Sequence, residues 1–137
     1  ALELGYRTSV IPKNGWIVLG AVLQLKKGDP EQILARMEEL KEQRITKQPL
    51  DLPSAGSTFK RPEGYFAGKL IMDAGLRGFT VGGAQVSEKH CGFVVNRGDA
   101  TAADVWELIC EVKRRVKEMT GVELEPEVKL LGDFPQR

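Results

Sequence analysis

The sequence predicts an α+β fold, a small sandwich of helices on strands, preceded by a segment of different character. Three observations carry this. Val105, Leu108, Ile109, Val112, Val116 and Met119 form one apolar stripe at helical spacing. Short apolar runs rich in β-branched residues flank that stripe, Phe93-Val94-Val95-Asn96 before it and Val122 to Leu131 after it. Upstream, the stretch Pro49 to Pro62 carries proline, glycine and serine at a density that breaks regular structure, so it reads as a linker or functional loop between two halves.

The elements follow in order. Trp16 to Leu25 is a continuous apolar run and predicts a strand buried on both faces. Lys26-Lys27-Gly28 ends it. Asp29 is placed to cap a helix, Pro30 suits the first helical position, and Gln32 can close a capping box. Ile33, Leu34, Met37 and Leu40 then recur at helical spacing, and the helix is lost over residues 44–49. The domain boundary falls near Lys47, dividing residues 1–46 from residues 47–137. Tyr65 to Ala74 predicts a helix with Leu70 and Ile71 facing inward and Gly75 as its stop. Phe79 to Gln85 is an extended stretch containing glycine. Thr101 caps the long helix and Gly121 ends it. That helix would pack on strands carrying Val94, Val122, Leu124 and Val128. Lys113, Arg114, Arg115 and Lys117 lie off the stripe and read as a solvated face near a helix C-terminus, where positive charge is favourable.

Composition narrows the class of function. With 137 residues, the chain has room for one good-sized domain, or a small domain and a fragment. A formal net charge of +1 supplies no global field for nucleic acid or for an acidic membrane surface. No apolar run approaches the roughly 20 residues of a membrane-spanning helix. Cys91 and Cys110 lack CxxC spacing, and His90 is the single histidine, so no metal site is expected. Two buried thiols in a cytosolic protein is the plain reading. The chain starts without Met, which reads as a piece of a longer polypeptide.

A few residues could carry chemistry. Ser57 sits in Pro53-Ser54-Ala55-Gly56-Ser57-Thr58-Phe59-Lys60-Arg61-Pro62, either as a turn serine bonding its own backbone or as a proton donor beside the cations Lys60 and Arg61. No GxSxG elbow accompanies it, so a hydrolase nucleophile is not indicated. Glu125 and Glu127 flank Pro126. Alternation puts both carboxylates on one face, and a proline there suits a sheet edge. They are an exposed pair, or Glu127 is a general acid or orienting group. Arg7, after Tyr6, is a surface arginine or a planar fork for a substrate carboxylate. Gly82-Gly83 forms a turn or admits a phosphate. Arg77 and His90 read as ordinary surface residues or as ligand contacts.

Taken together these pieces resemble one family. Gly5-Tyr6-Arg7-Thr8-Ser9, residues 48–60, Ala67-Gly68-Lys69-Leu70-Ile71, Ala74-Gly75-Leu76-Arg77-Gly78, residues 82–87 and Leu124-Glu125-Pro126-Glu127-Val128 are similar, in this order, to stretches of the UDP-N-acetylenolpyruvoylglucosamine reductase family. The resemblance runs from Gly5 to about Gly132. It implies a cytoplasmic flavoenzyme of peptidoglycan synthesis that uses FAD and NADPH to reduce UDP-N-acetylglucosamine enolpyruvate to UDP-N-acetylmuramate. It implies Ser57 as the acid that protonates the enolic carbon, Glu127 as second acid or orienting partner, and Arg7 as the holder of the substrate carboxylate. Tyr6, Lys60, Arg61, Arg77 and His90 would contact substrate, and Gly56, Gly82 and Gly83 the cofactor. Residues 1–46 would be the tail of a flavin domain and residues 47–137 the substrate domain, in its shorter variant. Two departures stand out. Arg61 occupies a place where the family often has the asparagine that contacts the nucleotide, and the family's Gly- and Asn-rich flavin cradle has no counterpart in this chain. The alternative is a UDP-sugar-binding fragment with no activity of its own.

Overall fold

The computed structural model describes residues 2–134. Helices and a small antiparallel sheet give the expected α+β fold. The chain divides into two compact units, Ala1–Ala35 and Arg36–Arg137, with the division inside a helix.

In the first unit, Gly5 and Thr8 exchange two backbone hydrogen bonds of 3.0 and 3.3 Å around a tight turn. Helix α1 (Val10–Lys13) follows, capped by Ser9, whose hydroxyl accepts from the Ile11 N–H. The predicted strand at Trp16–Leu25 does not form. That stretch has no regular structure, and Leu19 and Val22 are 97% and 100% exposed. The reason is physical: a strand buried on both faces needs neighbours at both edges and cover on both sides. The described residues of this unit supply one turn, one short helix and the start of the helix that follows, and no strand to pair with.

Helix α2 (Pro30–Lys47) begins where predicted. Asp29 accepts the Glu31 N–H at 2.9 Å, and Gln32 donates to the Asp29 carboxylate rather than closing a box on the backbone. Ile33, Leu34, Met37 and Leu40 are exposed. The helix continues to Lys47, a little further than the sequence suggests.

The second unit is built on a four-stranded sheet, β1 (Ser54–Ser57), β2 (Thr80–Val81), β3 (Ala84–Val86) and β4 (Phe93–Asn96), in the order β1-β4-β3-β2 and antiparallel throughout. Strand β4 holds a central place, which explains three consecutive buried residues, Phe93, Val94 and Val95. Gly82 and Gly83 turn β2 into β3. Helix α4 (Ala102–Thr120) lies across β2, β3 and β4 and packs against α3 (Ala67–Asp73).

Helix α4 starts with a full capping box between Thr101 and Asp104 and ends at Gly121, whose φ of +74° is cheap only for glycine. Asp104 is held below the usual carboxylate range, chiefly by the Thr101 N–H and hydroxyl. Leu108, Ile109, Val112 and Val116 form the buried stripe. Met119, expected to join them, is 59% exposed because the chain turns away at Gly121. In α3, Leu70 and Ile71 face inward as expected, and Gly75 follows with φ +72°. The stretch from Val122 to Leu131 is not a regular strand. It makes one bridge, Phe59 to Pro126, while Leu124 is fully buried and Val122 and Val128 pack at the edge of the core. Pro126 has no N–H to offer a ladder, and its bridge to Phe59 calls for none. No helix among the described residues is long and apolar enough to cross a membrane.

The basic face of α4 is ion-paired. Arg114 reaches Glu111 through two nitrogens at 2.7 and 2.9 Å and Glu118 at 2.7 Å; Arg115 reaches Glu111 at 2.6 Å. These guanidinium groups hold the Glu111 carboxyl at about 2, against an ordinary 4.5. A carboxyl depressed on folding stabilises the fold fully above its unfolded value, and that contribution is lost as pH falls through the folded value. Acid unfolding followed by circular dichroism should therefore show part of its pH dependence between about 4.5 and about 2 vanish in Glu111→Gln. The pairs are exposed or partly exposed, so the effect is small and salt should shrink it further. A Glu111→Gln profile that overlays the parent at low salt would refute it.

Candidate active site

Ser57 owes its position to a bulge. Along β1, Ser54 pairs with Val95 and Ser57 with Phe93, so β1 uses one residue more than β4 over the same span. Gly56 lies within that span at φ +89°, a conformation a side chain would strain. The bulge re-aims the end of β1, and Ser57 emerges exposed, its hydroxyl at 3.4 Å from the Phe59 carbonyl, a long and weak contact. The next residue, Thr58, is buried and fastened. Its N–H donates to Gly92 at 2.9 Å and its hydroxyl accepts the Val94 N–H at 3.0 Å. Ser57 is thus an exposed hydroxyl next to an anchored residue.

A short seam brings Glu127 to this place. The Glu127 N–H donates to the Thr58 carbonyl at 2.8 Å, and the Lys60 N–H donates to the Glu125 carbonyl at 2.9 Å. Phe59 and Pro126 face each other between these two bonds. They form the non-hydrogen-bonded pair of an antiparallel ladder, the one position where the missing proline N–H leaves nothing unpaired. Thr58 therefore stands opposite Glu127 and Lys60 opposite Glu125. The Lys60 ammonium pairs with the Glu125 carboxylate. Lys60, Glu125 and Glu127 share this seam with Ser57 at its edge.

The remaining predicted residues have contacts of their own. Arg61 stacks on the Phe66 ring, 4.1 Å from guanidinium carbon to centroid, and donates to the Tyr65 carbonyl at 3.3 Å. Arg77 donates to the Glu88 carbonyl and approaches the Met72 sulfur at 3.1 Å, tying two loops together. His90 accepts the Gly92 N–H on Nδ1 at 3.0 Å and meets Phe93 edge-on. Burial pushes the neighbouring Cys91 thiol up, against the pull of Arg77. Tyr6 and Arg7 belong to the other unit, at the tip of the Gly5–Thr8 turn. Arg7 adopts φ +55°, and its guanidinium lies 5.9 Å from the Tyr6 ring centroid.

Gly82 and Gly83 are needed for close packing within the fold. A Cβ on Gly82 would run into the Asp104 carboxylate, and one on Gly83 into the Ala100 backbone and Asp99. Sequence reasoning missed two things here. One is the Lys60–Glu125 pair, readable only once the two segments are known to align. The other is Thr58, whose hydroxyl takes a ladder position normally held by a carbonyl.

Residues 48–131 match the family model for the C-terminal domain of UDP-N-acetylenolpyruvoylglucosamine reductase. The chain belongs to that family. It is 67% identical to the reductase of Lachnoclostridium phytofermentans and 59% identical to that of Clostridioides difficile, in each case over 96% of this chain and 43% of the relative. The crystal structure of the reductase from Thermus caldophilus superposes with a TM-score of 0.74 at 44% identity, over 92% of this chain and 45% of that one. The chain thus spans less than half the length of these relatives. Family membership bears out the resemblance drawn from residues 5–132.

Proposed function

We propose that this chain is the C-terminal part of an NADPH- and FAD-dependent reductase that converts UDP-N-acetylglucosamine enolpyruvate to UDP-N-acetylmuramate for peptidoglycan synthesis in the cytoplasm. Residues 1–46 are the tail of the flavin domain and residues 47–137 the substrate domain. The supporting observation is the seam that aligns Ser57 and Glu127 on adjacent backbone. Ser57 donates the proton to the enolic carbon, and Glu127 acts as second acid or orients the donor. Arg7 holds the substrate carboxylate, where negative charge develops. Tyr6, Lys60, Arg61, Arg77 and His90 are the substrate contacts.

The three glycines proposed to meet FAD differ in the room they leave. Gly56 offers open space beside Ser57, whereas the turn at Gly82-Gly83 is crowded by Asp99 and Asp104, whose carboxylates would repel a phosphate. When bound, FAD supplies hydride transfer, with NADPH as the source. The chain's own residues hold the acceptor and deliver the proton.

The test is a visible absorption record of a protein that joins this chain to the upstream portion of its relatives. NADPH should bleach the flavin bands, and UDP-N-acetylglucosamine enolpyruvate should restore them without oxygen. A flavin that bleaches and never recovers with that substrate would defeat the proposal. A second reading is a UDP-sugar-binding fragment, favoured by one observation: Ser57, Lys60, Arg61 and Glu127 all lie in Arg36–Arg137, which carries its own core.

A further inference from the structure

We propose that Glu125 is a positioning residue: by holding the Lys60 ammonium it fixes the register of the seam and so keeps Glu127 opposite Thr58, beside Ser57. The inference rests on the reading of Ser57 and Glu127 as the proton-handling pair, and it concerns a residue to which that reading gives no role.

The argument starts from the ladder. Residues directly opposite in an antiparallel pair are the units that set its register. Here there are only three such pairs, Thr58 with Glu127, Phe59 with Pro126 and Lys60 with Glu125, and only two backbone bonds. So short a ladder is weakly specified by its backbone. Glu125 and Glu127 are two residues apart, so both project to the same side. A slip of two residues would bring Glu127 opposite Lys60, the backbone would again be in phase, and a carboxylate would again meet the ammonium. Either acid can thus meet the Lys60 ammonium, each in its own register, and the two registers have opposite consequences for Ser57. In the observed register Lys60 takes Glu125. Glu127 is left opposite Thr58, the residue adjacent to Ser57.

The surroundings fit a clamp. Thr58 is immobile on one side through Gly92 and Val94. On the other side, Lys117 of α4 donates to Glu123 at 3.1 Å, so the segment is gripped at Glu123 and at Glu125 with buried Leu124 between them. The Glu125 carboxylate is the more exposed partner and Lys60 the less exposed. The acid therefore acts by restraining a half-buried cation, not by filling the core.

The test uses Glu125→Gln, which keeps shape and removes charge. In this 137-residue chain, exchange of the Lys60 and Glu127 amide hydrogens should quicken roughly fivefold, as befits a partly exposed pair. The amides of α4 should keep their protection. The double variant Lys60→Glu with Glu125→Lys should restore both rates, which loss of a merely structural side chain would not allow. In the longer protein, the same substitution should lower kcat about tenfold or more with KM unchanged, because the donor pair is misplaced while substrate is still held. Unchanged exchange at both amides would overturn the clamp. So would a raised KM with kcat intact, which would mean that Glu125 serves only the contact of Lys60 with substrate and not the placing of Glu127. Faster exchange together with a Ser57→Ala protein that stays fully active would keep the clamp and overturn the reading of the site, so the two failures are told apart.

Discussion

Replacing Ser57 with alanine, in a protein that joins this chain to the upstream portion of its relatives, is expected to lower turnover by about 10²–10⁴-fold, the range general acids supply. Reduction of the flavin by NADPH should proceed at its parent rate. The expectation follows from the bulge in β1. An extra residue and a left-handed Gly56 turn the Ser57 hydroxyl out of the ladder, while buried Thr58 fixes the backbone behind it. The hydroxyl keeps one long contact, to the Phe59 carbonyl, so its removal breaks little that holds the fold. The unfolding free energy should therefore stay within about 0.5 kcal/mol of the parent, as for surface changes generally. Stopped-flow absorbance separates the two half-reactions. Loss of the NADPH half-reaction, with the substrate half intact, would show that Ser57 serves the cofactor and not the proton.

Much of the second unit was legible in the sequence because its signals are local. The α4 stripe, its Thr101 cap and its Gly121 stop all lie within about one helix length, and each acts through neighbours in the chain. Strand β4 was legible for the same reason. Trp16 to Leu25 misled because an apolar run states a need for cover without stating who supplies it. Val122 to Leu131 misled because alternation persists through a segment that pairs with its neighbour at one bridge, Phe59 to Pro126. The residues proposed for the site come from the sequence, and their geometry does not. Ser57 and Glu127 could be singled out from their settings, but their alignment depends on pairing across the chain. Lys60 and Glu125 are 65 residues apart, and no spacing rule joins them. The bulge at Gly56 was equally silent, since a glycine among serines and prolines signals a turn as readily as an extra residue in a strand.

Leu124→Ala is expected to destabilise the chain by about 2–5 kcal/mol, the range for truncating a buried leucine. For a unit of this size that corresponds to roughly 4–8 °C of melting temperature for each kcal/mol. Leu124 is 0% exposed and belongs to the core cluster that includes Leu108, Ile109, Val112 and Val116 of α4. It is also the residue before Glu125, so it pins the start of the seam to the helix layer. The cavity should therefore have a local consequence beyond the global one. Amide exchange at Lys60 and Glu127 should quicken under native conditions by more than the average of the sheet, since two backbone bonds and two exposed ion pairs are too few to hold the segment once its apolar anchor is gone. Leu131→Ala is the matched control. That leucine is 88% exposed in the same segment, and its truncation should move the melting temperature little. The contrast decides what places Glu127. If the two substitutions cost the same, the segment from Val122 to Leu131 is held by its polar contacts alone. A large difference, with exchange concentrated at the seam, makes the hydrophobic core of α4 the foundation on which Glu127 is aligned beside Ser57.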